Sequence, residues 1–334
     1  MTAPPDVSGT AAEADPEASL KGVSKKAIQG RSLGQIAWMR LKRDKVAIGG
    51  AIVIALLILV AIAALLLDRV FDVVHPNEFH QDLIDTENGT LAPLGTFGGI
   101  SGSHPLGIEP VNGRDILARI FAGSWISLLI ASLATVLSVV IGTTMGIIAG
   151  YFGGWVDTLI SRLMDVFLAF PLLVFAMALV GVLPDTAFGL SPEMVRISLL
   201  IFIIGFFNWP YIGRIVRGQT LSLREREFVD AARSLGARGP YILFRELLPN
   251  LVAPILVYAT LLIPTNILFE SALSFLGVGI NAPTATWGGM LSDASRFYTM
   301  PHFMLWPGLA IFVTVLAFNL FGDGLRDALD PRAR

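Results

Sequence analysis

Residues 46–67 read VAIGGAIVIALLILVAIAALLL, 22 positions without one charged side chain. Wound as a helix, this run is about 33 Å long at roughly 1.5 Å per residue, enough to cross the hydrocarbon core of a bilayer. The polar segment before it is far longer than a signal-peptide n-region, and the apolar run is too long for an h-region. It reads as a retained span, not a cleaved leader. Outward from it, five more charge-free runs follow at 120–156, 166–184, 197–213, 247–269 and 297–322. Helices are expected inside them at 125–148, 162–183, 197–216, 250–270 and 303–322, giving six spans. Prolines at 171, 210, 254, 264 and 307 fall inside these helices. They would break a soluble helix, but in a bundle neighbouring helices and water satisfy the freed carbonyls, so kinked, packed spans are expected.

Composition agrees. Of 334 residues, 54% are hydrophobic and 15% charged, where a soluble domain carries about 25% charged residues. There is no cysteine, which excludes disulfides, thiolate metal sites and cysteine nucleophiles. The net charge of -2 hides a segregation of signs. Eight Lys or Arg precede Val46, seven lie between Arg214 and Arg245, and three follow Asp323; with Arg162 these make 19 of the 24. The segment 68–119 instead has three Arg and eight acidic residues. Six spans put all 19 basic residues on one side, so both termini are expected in the cytoplasm.

The organisation expected is a disordered tail over 1–31, a surface helix and first span over 32–67, and an extracytoplasmic loop over 68–121. A five-helix core over 122–322 follows, with a cytoplasmic loop at 217–249 and a cytoplasmic tail over 323–334. Ser32 and Gln35 fit a capping box, and Leu33, Ile36, Ala37 and Leu41 share a helix face that ends in Arg40, Lys42, Arg43 and Lys45. A short basic helix on the membrane surface, or a basic cluster without helix, fits this pattern.

The loop at 217–249 is too patterned for a plain connector. Phe228, Ala231, Ala232 and Leu235 fall at i, i+3, i+4 and i+7, an apolar stripe on a helix of about three turns. Gly236 sits where a left-handed helix stop belongs, and Gly239-Pro240 reads as the start of a second helix that Pro249 ends. The stripe is buried either against the protein's own helix ends or in a socket on a soluble partner.

Asp230-Ala231-Ala232, three residues, Gly236, then Leu248-Pro249 resembles the "EAA" loop of binding-protein-dependent ABC importer permeases, with Asp in place of the usual Glu and with Glu246 where an apolar residue is common. His104-Pro105-Leu106-Gly107, Gly113-Arg114-Asp115 and Ile126-Ser127-Leu128-Leu129 look like the block before the second span in the dipeptide/oligopeptide/nickel branch. Trp287-Gly288, residues 307–311 and residues 318–327 resemble that branch's C-terminal block, in its C-type permease subunit. The resemblance implies an all-α, six-span type I importer fold in a bacterial or archaeal plasma membrane. It implies alternating access driven by two ATPase subunits that bind ATP and Mg, a second homologous permease, an extracytoplasmic substrate-binding protein, and surrounding lipid. No cofactor in this chain and no nucleic acid is expected. It also implies that Phe228, Asp230, Ala231, Ala232, Leu235, Gly236, Leu248 and Pro249 couple to the ATPase. Short peptides are the substrates it favours, with nickel chelates, glutathione or glycosides as alternatives.

One feature is independent of family. Every lysine lies at or before Lys45, so the body of the chain holds no P-loop Gly-Lys-Ser/Thr, and ATP chemistry needs another chain. An intramembrane hydrolase would need a nucleophile and base at membrane depth, and no Gly-x-Ser-x-Gly is present. A channel or scaffold leaves the patterned loop unexplained. Arg162 and Asp165, three apart, either pair on one face or act as a gate. Glu270 either lines the pathway or hydrogen-bonds Ser271 or Ser274. His75, Glu78, His80 and His104 in the 68–119 loop match no metal-ligand spacing.

Overall fold

The structure, a computed structural model, describes residues 33–72, 74–182 and 189–330. The tail expected over 1–31, the capping Ser32 and residues 331–334 lie outside them. The described helices are α1 (Leu33–Leu41), α2 (Lys45–Arg69), α3 (Ile116–Phe152), α4 (Gly154–Ala169) and α5 (Leu172–Val182). They continue with α6 (Pro192–Leu223), α7 (Glu227–Ser234), α8 (Gly239–Phe275), α9 (Trp287–Ser295) and α10 (Pro301–Leu329). Among the described residues only two isolated bridges, Ile84 with Pro93 and Ile108 with Asp115, pair in β fashion.

Five helices, α2, α3, α6, α8 and α10, are long and apolar enough to cross a membrane. The helix expected over 162–183 is not a single helix; by length and composition it is either a broken span or a re-entrant loop. It is a pair, α4 and α5, bent by 79°. The cause is Pro171: its ring disfavours helical backbone at the residue before it, and Phe170 is extended at φ -76, ψ 128. α2, α6 and α8 overrun their charge-free runs at both ends, α3 at its start and α10 at its end, because charged residues at helix ends still take helical backbone.

The chain order sets two ends of the bundle. One end carries the 70–115 loop, and the other carries α7. α2 lies along α10, where Gly50 faces the Ala317 carbonyl and Gly324 meets Ala47. Asp44 caps α2 by accepting from the amides of Val46 and Ala47. The outward side of α2 is aliphatic throughout, with Ile52, Leu56, Leu59 and Leu66 exposed, as a lipid-facing surface requires. α1 lies beside the end of α10, with an Arg40 guanidinium donating to the Asp330 carbonyl at 2.7 Å and Lys42 stacked over Trp38.

The centre of the bundle is the seam between α3 and α6. Gly142, Gly146 and Gly150 recur every four residues on α3 and face α6. A Cβ at Gly142 would stand 2.6 Å from the Trp209 carbonyl, one at Gly146 2.7 Å from the Gly213 carbonyl, and one at Gly150 2.6 Å from Thr220 Cβ. Only hydrogen side chains allow this approach, the small-xxx-small logic of membrane helix pairs. Beside the seam, polar groups at membrane depth satisfy one another. Ser138 donates to the Gly205 carbonyl at 2.7 Å, Asn208 donates to Asn266 at 2.8 Å, and Asn266 donates to Thr135 at 2.8 Å.

The 70–115 loop is clamped to the bundle by buried charge. Glu109 accepts from Arg114 Nε, and Arg119 Nε lies 3.2 Å from its other oxygen. Arg119 also donates to Asn77 at 2.8 Å and to the Pro283 carbonyl at 3.3 Å. Three stretches of chain therefore meet at one guanidinium. Burial pushes the Glu109 carboxyl above its usual range, and the two arginines pull the other way. His104 sits 2.7 Å from Asp115, and His302 meets the Ile108 carbonyl. Among the described residues no three of His, Cys, Asp or Glu gather as metal ligands.

Two stability predictions follow from this packing. Gly146→Val should overpack the seam at a cost of about 1–3 kcal/mol, lowering the thermal unfolding midpoint in detergent, whereas Gly218→Val, with nothing within 4 Å, should change it far less. Equal shifts would mean that the α3–α6 approach is not the tight point. Glu109→Gln strips two buried arginines of their counter-charge, a change of about 3–5 kcal/mol. Glu225→Gln removes a surface pair with Arg224, a change of about 0–1 kcal/mol, and the same melting assay compares the two.

Candidate functional site

At the α7 end the chain leaves the bundle at Leu223 and returns at Leu248. α7 has eight residues, too few to be stable alone, so its helicity depends on burial. Val229 and Ala232 supply it, joining a cluster with Ile147, Ile212, Val216, Ile242, Leu243 and Leu247. This corrects the sequence reading. Of the expected stripe, Ala232 is buried beside Val229 and Phe228 is half-buried against the same cluster, while Ala231 and Leu235 are exposed. Leu235 is 89% exposed. With Gly236, Arg238, Tyr241 and Glu246 the stripe lines an open concavity of about 630 Å³. Asp230 is exposed beside it, 3.3 Å from Arg233.

Gly236 stops α7 at φ +83. The Gly236 amide donates to the Arg233 carbonyl and the Ala237 amide reaches back to the Ala232 carbonyl, the paired bonds of a Schellman cap. The far end of α3 braces the corner from behind: Arg233 lies over the Tyr151 ring at 5.8 Å, and Arg224 donates to the Gly150 carbonyl at 2.9 Å. Pro249 does not end the second helix as expected. Residues Ile242–Leu247 form a π turn, in which the Leu248 amide bonds the Leu243 carbonyl, and the helix runs on to Phe275. The wider turn admits the proline ring, and Asn250 Nδ2 donates to the Glu246 carbonyl at 2.7 Å. Leu248 is half-buried and Pro249 exposed.

The charged candidates separate. Asp165 is bound mainly across helices, by Arg214 at 2.6 Å, and Arg162 stands further off at 3.5 Å. The expected Arg162–Asp165 pair is therefore the weaker contact, because a neighbouring helix offers a better-aligned guanidinium than the same helix three residues back. Asp157 and Arg217 make a second α4–α6 bridge. These four residues with Thr158, Ser161, Arg162 and Met164 line a groove at the α7 end. Glu270 is fully buried and accepts from Ser274 at 2.8 Å and Ser271 at 3.4 Å. Of its two expected roles, the hydroxyl-bonded one is what this conformation holds. Sequence reasoning did not single out Glu109, Arg119, Asn208, Asn266, Arg214 or Arg217. Asn208 and Asn266 stand in apolar runs, where a lone amide could have been noticed as needing a partner.

Comparison with known proteins bears on this arrangement. Residues 142–334 match the family described as binding-protein-dependent transport system inner membrane component, and residues 32–83 match the N-terminal TM domain of oligopeptide transport permease C. The chain is 41% identical to the dipeptide transport system permease protein DppC of Alkalihalophilus pseudofirmus, over 89% of this chain and 90% of the relative. It is 39% identical to the glutathione transport system permease protein GsiD of Pectobacterium atrosepticum, over 89% and 90%. It is 38% identical to the oligopeptide transport system permease protein OppC of Haemophilus influenzae, over 92% and 91%. A solved chain of the MetNI methionine ABC transporter is alike over 64% of this chain and 96% of its own, at 18% identity and a TM-score of 0.49. The chain belongs to the binding-protein-dependent transport system inner membrane components, the permease subunits of ABC importers.

Proposed function

We propose that this permease carries short peptides inward by alternating access, and that α7 receives the force from a separate ATPase. The observation that carries the coupling reading is the exposure of Ala231 and Leu235 at a concavity that Phe228 and Ala232 also line, while Val229, Ala232 and Phe228 tie the helix to the chain's own core. An exposed leucine beside an open apolar hollow outside the spans favours burial in another protein. Asp230, Gly236, Leu248 and Pro249 act behind it: a dipole-favoured acid, the stop, and the re-entry into α8. The cytoplasmic segment 217–249 would face two ATPase subunits that bind ATP and Mg. The 70–115 loop would face a substrate-binding protein outside, and a second permease would complete the pathway. The peptide assignment rests on relatives named for dipeptides and oligopeptides. Glutathione, itself a tripeptide, is the second reading, supported by relatives at 39–40% identity. Arg162 and Asp165 are proposed as part of an inner gate that opens as the α4–α6 bridges separate. For Glu270 the proposal is a fixed hydroxyl-bonded role.

Coupling is tested with Leu235→Asp and Gly236→Val in the assembled transporter. Leu235 supports little of its own chain's packing, so expression and assembly should survive. A carboxylate in the apolar contact costs about several kcal/mol if unpartnered. A β-branched residue at φ +83 strains the stop by about 1 kcal/mol or more, although nothing lies within 4 Å to clash with it. Transport should fall, with the partner's ATPase depressed or uncoupled. Normal transport in both variants would sink the coupling role.

Orientation is tested separately. In this cysteine-free chain a cysteine at position 90 should react with an impermeant thiol reagent added outside intact cells, and one at 234 should not. The reverse pattern would overturn the placement of both termini in the cytoplasm.

A further inference from the structure

Two helix faces meet in a groove that nothing above accounts for. Asn208, Tyr211, Ile212 and Ile215 of α6 fall at i, i+3, i+4 and i+7. Tyr258, Leu261, Leu262, Thr265 and Phe269 of α8 fall at i, i+3, i+4, i+7 and i+11. Together they line a concavity of about 370 Å³ that contains no charged side chain. It begins one turn from Arg214 and runs into the middle of both spans. Tyr211 is 55% exposed, and Thr265 is exposed as well. Among the described residues neither Tyr211 nor Tyr258 has a hydrogen-bond partner for its hydroxyl. The exposed face of α2 is purely aliphatic, so this bundle does keep polar groups off a lipid-facing surface elsewhere. Unpartnered hydroxyls at membrane depth belong against water, a polar solute or protein.

We infer that this α6–α8 groove is a peptide-contacting wall of the translocation pathway, with Tyr211, Tyr258 and Thr265 meeting main-chain amides of the passing peptide. The inference rests on the permease reading and adds the residues and the recognition chemistry. Eleven residues of α8, from Tyr258 to Phe269, span about 16 Å, the reach of roughly four to five extended residues. Phenol and alcohol hydroxyls both donate and accept, so they serve either polarity of a peptide group. The aliphatic and aromatic remainder, without charge, neither selects nor rejects a particular side-chain charge. Behind the wall, Asn208 is fixed by Asn266 and Asn266 by Thr135. This chain of bonds runs across α6, α8 and α3 and makes Asn266 a positioning residue.

The test uses the assembled transporter in proteoliposomes, with single cysteines at 211, 258 and 265 of this chain and Leu59→Cys on the α2 lipid face as control. Labelling of this chain by a charged, water-soluble methanethiosulfonate is followed by mass. The three groove positions should react at least about tenfold faster than the control, and transport of trialanine should slow them. Reaction only with a lipid-soluble maleimide, as expected of the control, would make the groove a lipid face and overturn the inference. Protection by the second permease in every state, with crosslinking to it, would make the groove a subunit contact and overturn it equally. As a second arm, Tyr211→Phe and Tyr258→Phe keep the ring and remove one hydroxyl each. The half-saturating trialanine concentration should rise at least about threefold for each lost hydrogen bond, with assembly unchanged; unaltered kinetics in both would overturn the contact. An unaltered wild-type assembly that carries no di- or tripeptide would overturn the transport reading itself, which the accessibility pattern alone would not.

Discussion

The close approach of α3 and α6 is the constraint on which the other parts of the bundle depend. Three glycines spaced by four residues, Gly142, Gly146 and Gly150, let two long helices approach backbone to backbone along that stretch of α3. Between apolar helices in lipid there is no hydrophobic drive to associate, so contact must come from packing and polar bonds. The seam supplies the first, and Ser138 to Gly205 supplies one of the second. Its direction fixes what lies at each end. Toward α7, Gly150 and Tyr151 are delivered to Arg224 and Arg233. Toward the middle, Thr135 is delivered to the Asn266–Asn208 pair. A wider spacing would detach both the brace behind α7 and the polar link across to α8.

The opposite end solves a different problem. A loop of more than forty residues outside the spans would lose much conformational entropy in being held. Buried ion pairs give little net stability but punish the loss of one member. Arg119 at the start of α3, tied to Glu109, Asn77 and the Pro283 carbonyl, therefore defines one loop arrangement more than it strengthens the fold. A surface able to receive another protein gains from such definition, because less order then has to be created on binding.

How much of this the sequence disclosed varies with the range of the cause. Span existence followed from charge-free length, which is a local property. The break at Pro171 was local too: the steric effect of proline on Phe170 was available, but spans tolerate proline often enough that a kink was expected and not a 79° bend. The α7 stripe of Phe228, Ala231, Ala232 and Leu235 divided: Ala232 is buried and Phe228 half-buried, while Ala231 and Leu235 are exposed. In so short a helix several apolar pairs satisfy a helical period, and only the position of Ile212, Leu243 and Leu247 decides that Val229 and Ala232 are the buried ones. Gly236 needed no such context, since a glycine after an apolar helical run has a local reason to be left-handed. Asp165 preferring Arg214, Glu109 between two arginines, and Asn208 meeting Asn266 are contacts between distant positions. Single-sequence patterning carries no term for them.

The two faces of α7 define its mechanical character. A helix of this length has little stability of its own; it holds because Val229 and Ala232 are buried, Gly236 closes its end and Tyr151 backs it. The exposed Ala231 and Leu235 are therefore backed by α3, α6 and the start of α8 together. Compliance lies further along α8, at the π turn of residues 242–247 and at Pro254 and Pro264, where backbone hydrogen bonds are already displaced or missing. On the proposed coupling role, a push on α7 would be taken up at these points, close to the side chains of Tyr258 and Leu262 that line the α6–α8 groove. The rigid corner and the yielding helix belong to one continuous stretch of chain, and that continuity gives a contact outside the spans a physical route to the middle of them.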